Sequence, residues 1–289
     1  MLVGIIIIVI ALAATAYGSY TDIKIREVPN WITFPLIGVM LLLRFIDYAI
    51  TRNAGNLVYS LITGGVFLAI GLFMFYTSQW GGADLKMLTA FGFGFGTLLG
   101  PFSPQYVGPW PFGITLLMNL LIIAACYSII FGLGVSVGNK KVYEETKKSM
   151  KQYEMHGIFL LFIVGSLAAM FDPIYFLVAM LAPLWLLMRY MKSVEKHCLN
   201  RLRSWDQVVE FDVPIKDIKV KGKVVMNSKD PNGFTPEKLK YMKQLAREGK
   251  IPKQIKVKWG LPLTPAFPMA LLMSVFFGDL LYWFMQIII

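Results

Sequence analysis

Cysteine, histidine and negative charge are all scarce in this 289-residue chain. Its two cysteines, Cys126 in an apolar run and Cys198 in a basic region, form no CxxC pair, which argues against a disulfide framework and a thiolate zinc site. Two isolated histidines, His156 and His197, fall short of the usual ligand set of a metal centre, and neither a metal nor another cofactor is expected. Charged residues amount to only 16%, against roughly 25% in soluble domains. What fills the chain instead is apolar: 56% of residues, a mean hydropathy of +0.60, and several runs of about 20 residues long enough to cross a bilayer. The fold class expected is an α-helical polytopic membrane protein.

Positive charge is plentiful, with a formal net charge of +11, but it is unevenly placed. Of 28 Lys and Arg, 23 lie between Val135 and Leu261; only Lys24, Arg26, Arg44, Arg52 and Lys86 precede them. Basic residues beside membrane spans mark the cytoplasmic side and approach anionic headgroups. No basic and aromatic stacking platform accompanies them, so nucleic acid is not an expected partner.

Six spans and a short hairpin, about eight crossings, organise the chain. Leu2 to Tyr20 has no basic residue before it and Lys24 and Arg26 after it, which puts the N-terminus outside. Without a basic n-region it is expected to be a retained span rather than a cleaved signal peptide. The loop Thr21 to Asn30 carries Asp22; Pro29 ends it, and Asn30 is placed to cap the span that starts at Trp31. Trp31 to Ile50 returns outward, the polar link Thr51 to Asn56 turns the chain, and Leu57 to Ser78 runs inward. Gly81 and Gly82 break that helix, and the next span, Asp84 to Gly100, carries Gly92, Gly96 and Gly100 at four-residue spacing. Such a ladder lets another helix approach closely and is expected to help seat the Asp84 helix against the helix ending at Asp22. Phe91, Phe93 and Phe95 between the glycines read as core or lipid-facing aromatics.

Pro101 to Pro111 reads as an outer loop and Phe112 to Leu133 as the inward span, so 1–135 forms the membrane core. A cytoplasmic surface helix follows at 136–157, within which Asn139 to Gly157 has Lys147, Lys148 or Lys151 three or four places from Glu144, Glu145 and Glu154. The segment 158–191 is read as a membrane hairpin turning at Asp172-Pro173. A basic cytoplasmic α+β insert occupies 192–261. Strand-like stretches Val208 to Val213 and Ile215 to Met226, with a turn at Lys221-Gly222, precede a second turn at Lys229 to Gly233. Thr235-Pro236-Glu237 caps a helix to Arg247, Gly249 stops it, and Gln254 to Trp259 is the last strand. The final span is 262–289.

Carboxylates at a membrane edge are costly and therefore candidates for function. Asp22 follows one crossing and Asp84 follows three, so both face the same, cytoplasmic side. Two carboxylates sharing a site suit aspartic peptidase chemistry. Mutual repulsion keeps one ionised to activate water while the other stays protonated to donate. Asp84 at a helix N-terminus meets the positive end of the dipole, and Gly81 and Gly82 permit close approach of a substrate backbone. The plainer reading leaves Asp84 as a helix cap and Asp22 as a partner of Lys24 or Arg26. Asp47 and Asp279 lie towards the far side and are not expected to join the pair.

Tyr20-Thr21-Asp22-Ile23-Lys24-Ile25-Arg26-Glu27-Val28-Pro29-Asn30 resembles the first-aspartate loop of GxGD membrane aspartic peptidases, and within them the archaeal preflagellin and type IV prepilin peptidases. Gly81-Gly82-Ala83-Asp84-Leu85-Lys86 resembles their second motif, with Ala83 where the pattern has glycine, and Gly260 to Pro265 is weakly similar to an entry seen in archaeal members. The resemblance implies an Asp22/Asp84 dyad with Gly81, Gly82, Ala83 and Lys86 shaping the substrate approach. It also implies cleavage of pilin or flagellin leader peptides at the cytoplasmic face. Bacterial relatives that also methylate the product often carry a cysteine-rich segment; this chain has none, so cleavage alone is expected. A presenilin-like intramembrane protease and a non-enzymatic transporter or scaffold are the alternatives.

Overall fold

The structure, a computed structural model, describes residues 2–25, 27–77, 79–97, 110–171, 175–208, 212–220, 222–228, 230, 233–258 and 261–288. The expected outer loop before Trp110, the turn at Asp172-Pro173, and Gly100, Lys221, Pro231, Asn232 and Trp259 lie outside the described residues. In chain order the elements are α1 (Leu2–Ile25), α2 (Asn30–Thr51), α3 (Ala54–Tyr76), α4 (Gly82–Phe95), α5 (Phe112–Ser136), α6 (Lys140–Ser149), α7 (Gln152–Ala168) and α8 (Phe176–Cys198). Then come β1 (Asn200–Ser204), β2 (Val213–Pro214), β3 (Ile218–Val220), β4 (Lys223–Met226), α9 (Pro236–Arg247), β5 (Gln254–Lys258), α10 (Ala266–Phe276) and α11 (Leu280–Ile288). Two compact units form, 1–128 with 261–284 and 129–260 with 285–289.

Among the described residues α1, α2, α3 and α5 are each long and apolar enough to span, and α10 with α11 adds a fifth if that bent pair is one span. The protein is thus a polytopic membrane protein of mostly helical structure. Helices dominate because, in hydrocarbon, backbone N–H and C=O groups must be satisfied within the segment. α4 has 14 residues and ends at Phe95, about 21 Å of helix and short of the roughly 30 Å of a bilayer core.

Within the first unit, α1 does not stop at Tyr20 but continues to Ile25, so Asp22 rides on the last helical turn and not in a loop. Nothing in Thr21 to Ile25 breaks a helix: Thr21 Oγ1 donates back to the Gly18 carbonyl at 2.9 Å, and Lys24 sits where the helix dipole favours a cation. The expected cap at Asn30 is also revised. Pro29 occupies the cap position with no side-chain bond, because Asn30 is already helical and its side chain is engaged elsewhere. The core of the unit gathers Ile7, Met40, Met87, Phe91, Phe95 and Phe267, with Phe91 edge-on to both Phe95 and Phe267 at 5.5 Å.

The glycine ladder seats α4 on α3 rather than on α1. A Cβ on Gly92 would stand 2.8 Å from both Gly64 Cα and the Thr63 carbonyl oxygen, and one on Gly96 would meet Thr63 Cβ at 2.6 Å. α3 answers with its own glycines, Gly64 beneath the Phe93 ring and Gly71 beneath Leu85. Backbone-to-backbone approach of this kind is how helices gain packing energy in lipid, where burial offers little. Arg44 of α2 is buried here: its Nε donates to the Gly94 carbonyl at 3.0 Å and its Nη1 pairs with Asp47 at 3.4 Å, closing the end of α4.

The last span, expected to be continuous over 262–289, is broken. α10 and α11 meet at 56° across Gly278, whose φ of 77° favours glycine. Asp279, fully buried, caps α11 by accepting the Tyr282 N–H at 3.0 Å and takes the Thr115 hydroxyl at 3.1 Å. Asn119 Nδ2 donates to the Gly278 carbonyl at 2.8 Å and to Ser274 Oγ at 2.9 Å, while its Oδ1 accepts the Leu280 N–H. The polar groups freed by the break are paired, which makes a break in an apolar helix tolerable.

In the second unit, the expected single surface helix over Asn139 to Gly157 is split. Asn139 does cap α6, but Met150 and Lys151 are extended and α7 starts at Gln152. The acids of this region reach α8: Glu145 pairs with Lys196, and Glu154 with Arg189 at 3.1 Å. α7 and α8 pack closely at Gly165, where a Cβ would meet the Ala179 backbone nitrogen at 2.6 Å. The polar part is α+β, with an antiparallel sheet in the order β1-β5-β2 and a separate β3-β4 hairpin turning at Gly222, φ 81°. The two long strand-like stretches therefore shorten to β2, β3 and β4, and β1 was not anticipated; Asn200-Arg201-Leu202-Arg203-Ser204 lacks an apolar alternation and is a strand only because it pairs with β5. α9 matches its reading: Thr235 Oγ1 accepts the Lys238 N–H, Pro236 opens the helix, and Gly249 at φ 70° follows it. Trp205, Phe234, Met242 and Val257 form the core beneath it.

Candidate active site

α1 and α4 approach each other one helical turn from each aspartate. Gly18 lies four residues before Asp22 and Met87 three after Asp84, and a Cβ on Gly18 would stand 2.5 Å from the Met87 methyl. That seat leaves room for no larger residue without a shift of Met87. The outcome is that Asp22 and Asp84, 62 residues apart in sequence, lie within direct electrostatic reach of each other.

Each carboxylate is held by a backbone amide. Asp84, only 8% exposed, is the third residue of α4, and its Oδ2 accepts the Gly81 N–H at 3.0 Å. This is the carboxylate half of a capping box, with no side chain on Gly81 to return the bond. Asp22 is half-buried and its Oδ2 accepts the Thr264 N–H at 3.3 Å. Lys24, the neighbour offered as a partner for Asp22 in the plainer reading, donates to the Tyr20 hydroxyl at 3.0 Å and lies over that ring. One oxygen of each aspartate is thereby oriented by a fixed donor.

Ala83 departs from the glycine pattern at no conformational expense. It is the second residue of a regular helix, and neither Gly81, at φ −78°, nor helical Gly82 takes a positive φ. Ala83 packs against the core alongside Trp80. Lys86 reaches across to α2, where Nζ donates to Asn30 Oδ1 and stands 4.3 Å from the centre of the Phe34 ring. The first turn of α4 is thus pinned to the first turn of α2.

Two contacts escaped the sequence. Thr264 belongs to a stretch singled out only for its prolines, and nothing local relates it to Asp22. Asn30 and Lys86 were each singled out, but not as a pair. Asp47 and Asp279 are occupied by Arg44 and by Thr115 respectively, each with a packing role. Among the described residues no three His, Cys, Asp or Glu side chains gather as metal ligands.

Comparison with known proteins gives two matches and one blank. Residues 6–137, the interval that contains Asp22, Gly81, Gly82, Ala83, Asp84 and Lys86, match the type IV leader peptidase family. The prepilin peptidase EppA of Methanothermobacter thermautotrophicus is 26% identical over 208 residues, covering 67% of this chain and 52% of that protein. The chain therefore spans about half the length of this curated relative. No solved structure matches it.

Proposed function

We propose that the chain is an aspartic endopeptidase of the type IV leader peptidase family, whose pattern residues 6–137 match, and that it removes the N-terminal leader of type IV pilin-like or archaeal flagellin precursors. The observation that carries the aspartic mechanism is the electrostatic proximity of Asp22 and Asp84 beside the Gly18–Met87 seat. A water held between the two carboxylates is the nucleophile. The ionised aspartate takes a proton from it as its oxygen bonds to the scissile carbonyl carbon, and the protonated partner gives its proton to the carbonyl oxygen. Collapse of the tetrahedral intermediate breaks the C–N bond, and a proton returns to the leaving amine. The dyad owns the protonation states jointly, so the acid and base roles belong to the pair.

Gly81, Gly82 and Ala83 form the small-residue edge along which the substrate backbone passes, and Lys86 fixes that edge to α2. The proposed topology has six spans and the short hairpin 158–191, the N-terminus outside and the dyad at the cytoplasmic face. The basic insert 192–261 meets anionic headgroups there. Cleavage proceeds without methylation of the new N-terminus.

Co-expression of a pilin precursor with wild type, Asp22→Asn and Asp84→Asn tests the reading, followed by mass and N-terminal sequence of the product. Loss of cleavage in both variants, with an unmethylated product in wild type cut ahead of the apolar helix, is expected. Undiminished processing in both variants overturns the dyad. A cut within the apolar helix makes the enzyme an intramembrane protease instead.

A further inference from the structure

The second unit holds a charged recess that the peptidase chemistry does not use. Glu145, Ser149, Arg189, Lys192, Ser193 and Lys196 line a cavity of about 200 Å³ between α6 and α8. A second cavity of about 270 Å³ shares Arg189 and Lys192 and is walled by Trp185 and Met188. The cations differ in how far they are already satisfied. Arg189 is held by Glu154 and stacks 4.9 Å from the centre of the Trp185 ring, and Lys196 is held by Glu145. Lys192 projects at the boundary of both cavities with no ion-pair partner among the described residues.

The same helix carries an exposed apolar stripe that runs into this recess. Leu181, Leu184 and Met188, each more than half exposed, are spaced by three and four residues, and Lys192 follows one turn later on that face. An apolar track ending at cations, with a Trp–Arg stack at the junction, has the layout of one phospholipid: acyl chain along the track, phosphate at the end. We infer that the α6–α8 recess binds a single anionic phospholipid, its phosphate held by Lys192 with Arg189 and Lys196. The inference rests on the membrane reading of 158–191, not on the peptidase assignment, and its test is independent of cleavage.

Full-length protein in neutral detergent is titrated with phosphatidylglycerol, and separately with phosphatidylcholine, and the retained lipid counted by native mass spectrometry. Wild type retains one phosphatidylglycerol. Lys192→Gln weakens it about fivefold, the value of one cation near an anionic headgroup, while Lys192→Arg restores it. Lys140→Gln, a lysine of α6 that does not line the recess, leaves it unchanged. Glu145→Gln, which frees Lys196, tightens binding and keeps the question answerable if a Lys192 variant misfolds. Equal weakening by Lys140→Gln and Lys192→Gln, or equal retention of phosphatidylcholine, overturns the site in favour of diffuse attraction. Binding of inorganic phosphate at Lys192 with no phosphatidylglycerol retained overturns the lipid as its source.

Discussion

Gly92→Ala probes the contact that holds the Asp84 helix in place. The added methyl would sit 2.8 Å from Gly64 Cα, 2.8 Å from the Thr63 carbonyl oxygen and 3.0 Å from Phe67 Cβ, all on α3, where ordinary contact begins near 3.4 Å. Two of these neighbours are backbone and cannot swing aside, so α4 must separate from α3 by roughly half an ångström; overpacking of this kind costs about 1–3 kcal/mol. The helix propensity of alanine offsets little of it, since a bilayer already enforces helical structure on the segment. Asp84 lies two turns away on the same helix and moves with it. A misplacement of about 1 Å costs on the order of 100-fold in rate, so half of that predicts roughly a tenfold fall in kcat. Gly65→Ala is the control, since its Cβ meets nothing within 4 Å. It should stay within about 0.5 kcal/mol of wild type. Unfolding in mixed micelles and single-turnover leader cleavage read both quantities. If Gly92→Ala is as stable and as active as Gly65→Ala, the close seat of α4 on α3 is wrong.

Substitutions at two further positions isolate single contacts. Thr264→Pro removes the N–H that orients Asp22 whereas Thr264→Ala keeps it; a bond to a charged group contributes about 1.5–3 kcal/mol, so kcat should fall at least tenfold in the first and no more than about threefold in the second, with KM little changed in both. Equal losses would assign Thr264 to packing alone. In the polar part of the second unit, Thr235→Ala removes the cap of α9 and should destabilise that unit by about 1 kcal/mol, with the proposed leader cleavage retained. Hydrogen exchange confined to residues 235–249 would record it, and unaltered exchange there would show the cap to be idle.

The elements that could be read directly were those whose signals are local. Long apolar runs announced α1, α2, α3 and α5, and Thr235-Pro236 with Gly249 bracketed α9 to the residue. Where a local signal admitted two outcomes, tertiary pairing chose. Glu145 and Glu154 had lysines at helical spacing, but α8 presented Lys196 and Arg189 across the fold. The glycine ladder announced a close helix partner without naming it, and the complementary glycines that decided the matter, Gly64 and Gly71, sit in α3. The break at Gly278 was hidden because a lone glycine in an apolar run ordinarily passes through a span; it needs Thr115 and Asn119, on α5, to satisfy the freed polar groups.

The same division runs through the two aspartates of the proposed dyad. Asp84 takes its orienting N–H from Gly81, three residues away, a relation any helix start contains, and so its place at the head of α4 was readable. Asp22 takes its own from Thr264, 242 residues later, beyond the interval that matches the leader peptidase family. The proposed dyad is therefore not confined to the matched interval: one carboxylate is anchored within it and the other by the entry to α10. β5 ends at Lys258, six residues before Thr264, so the chain that anchors Asp22 is the chain that leaves the basic insert.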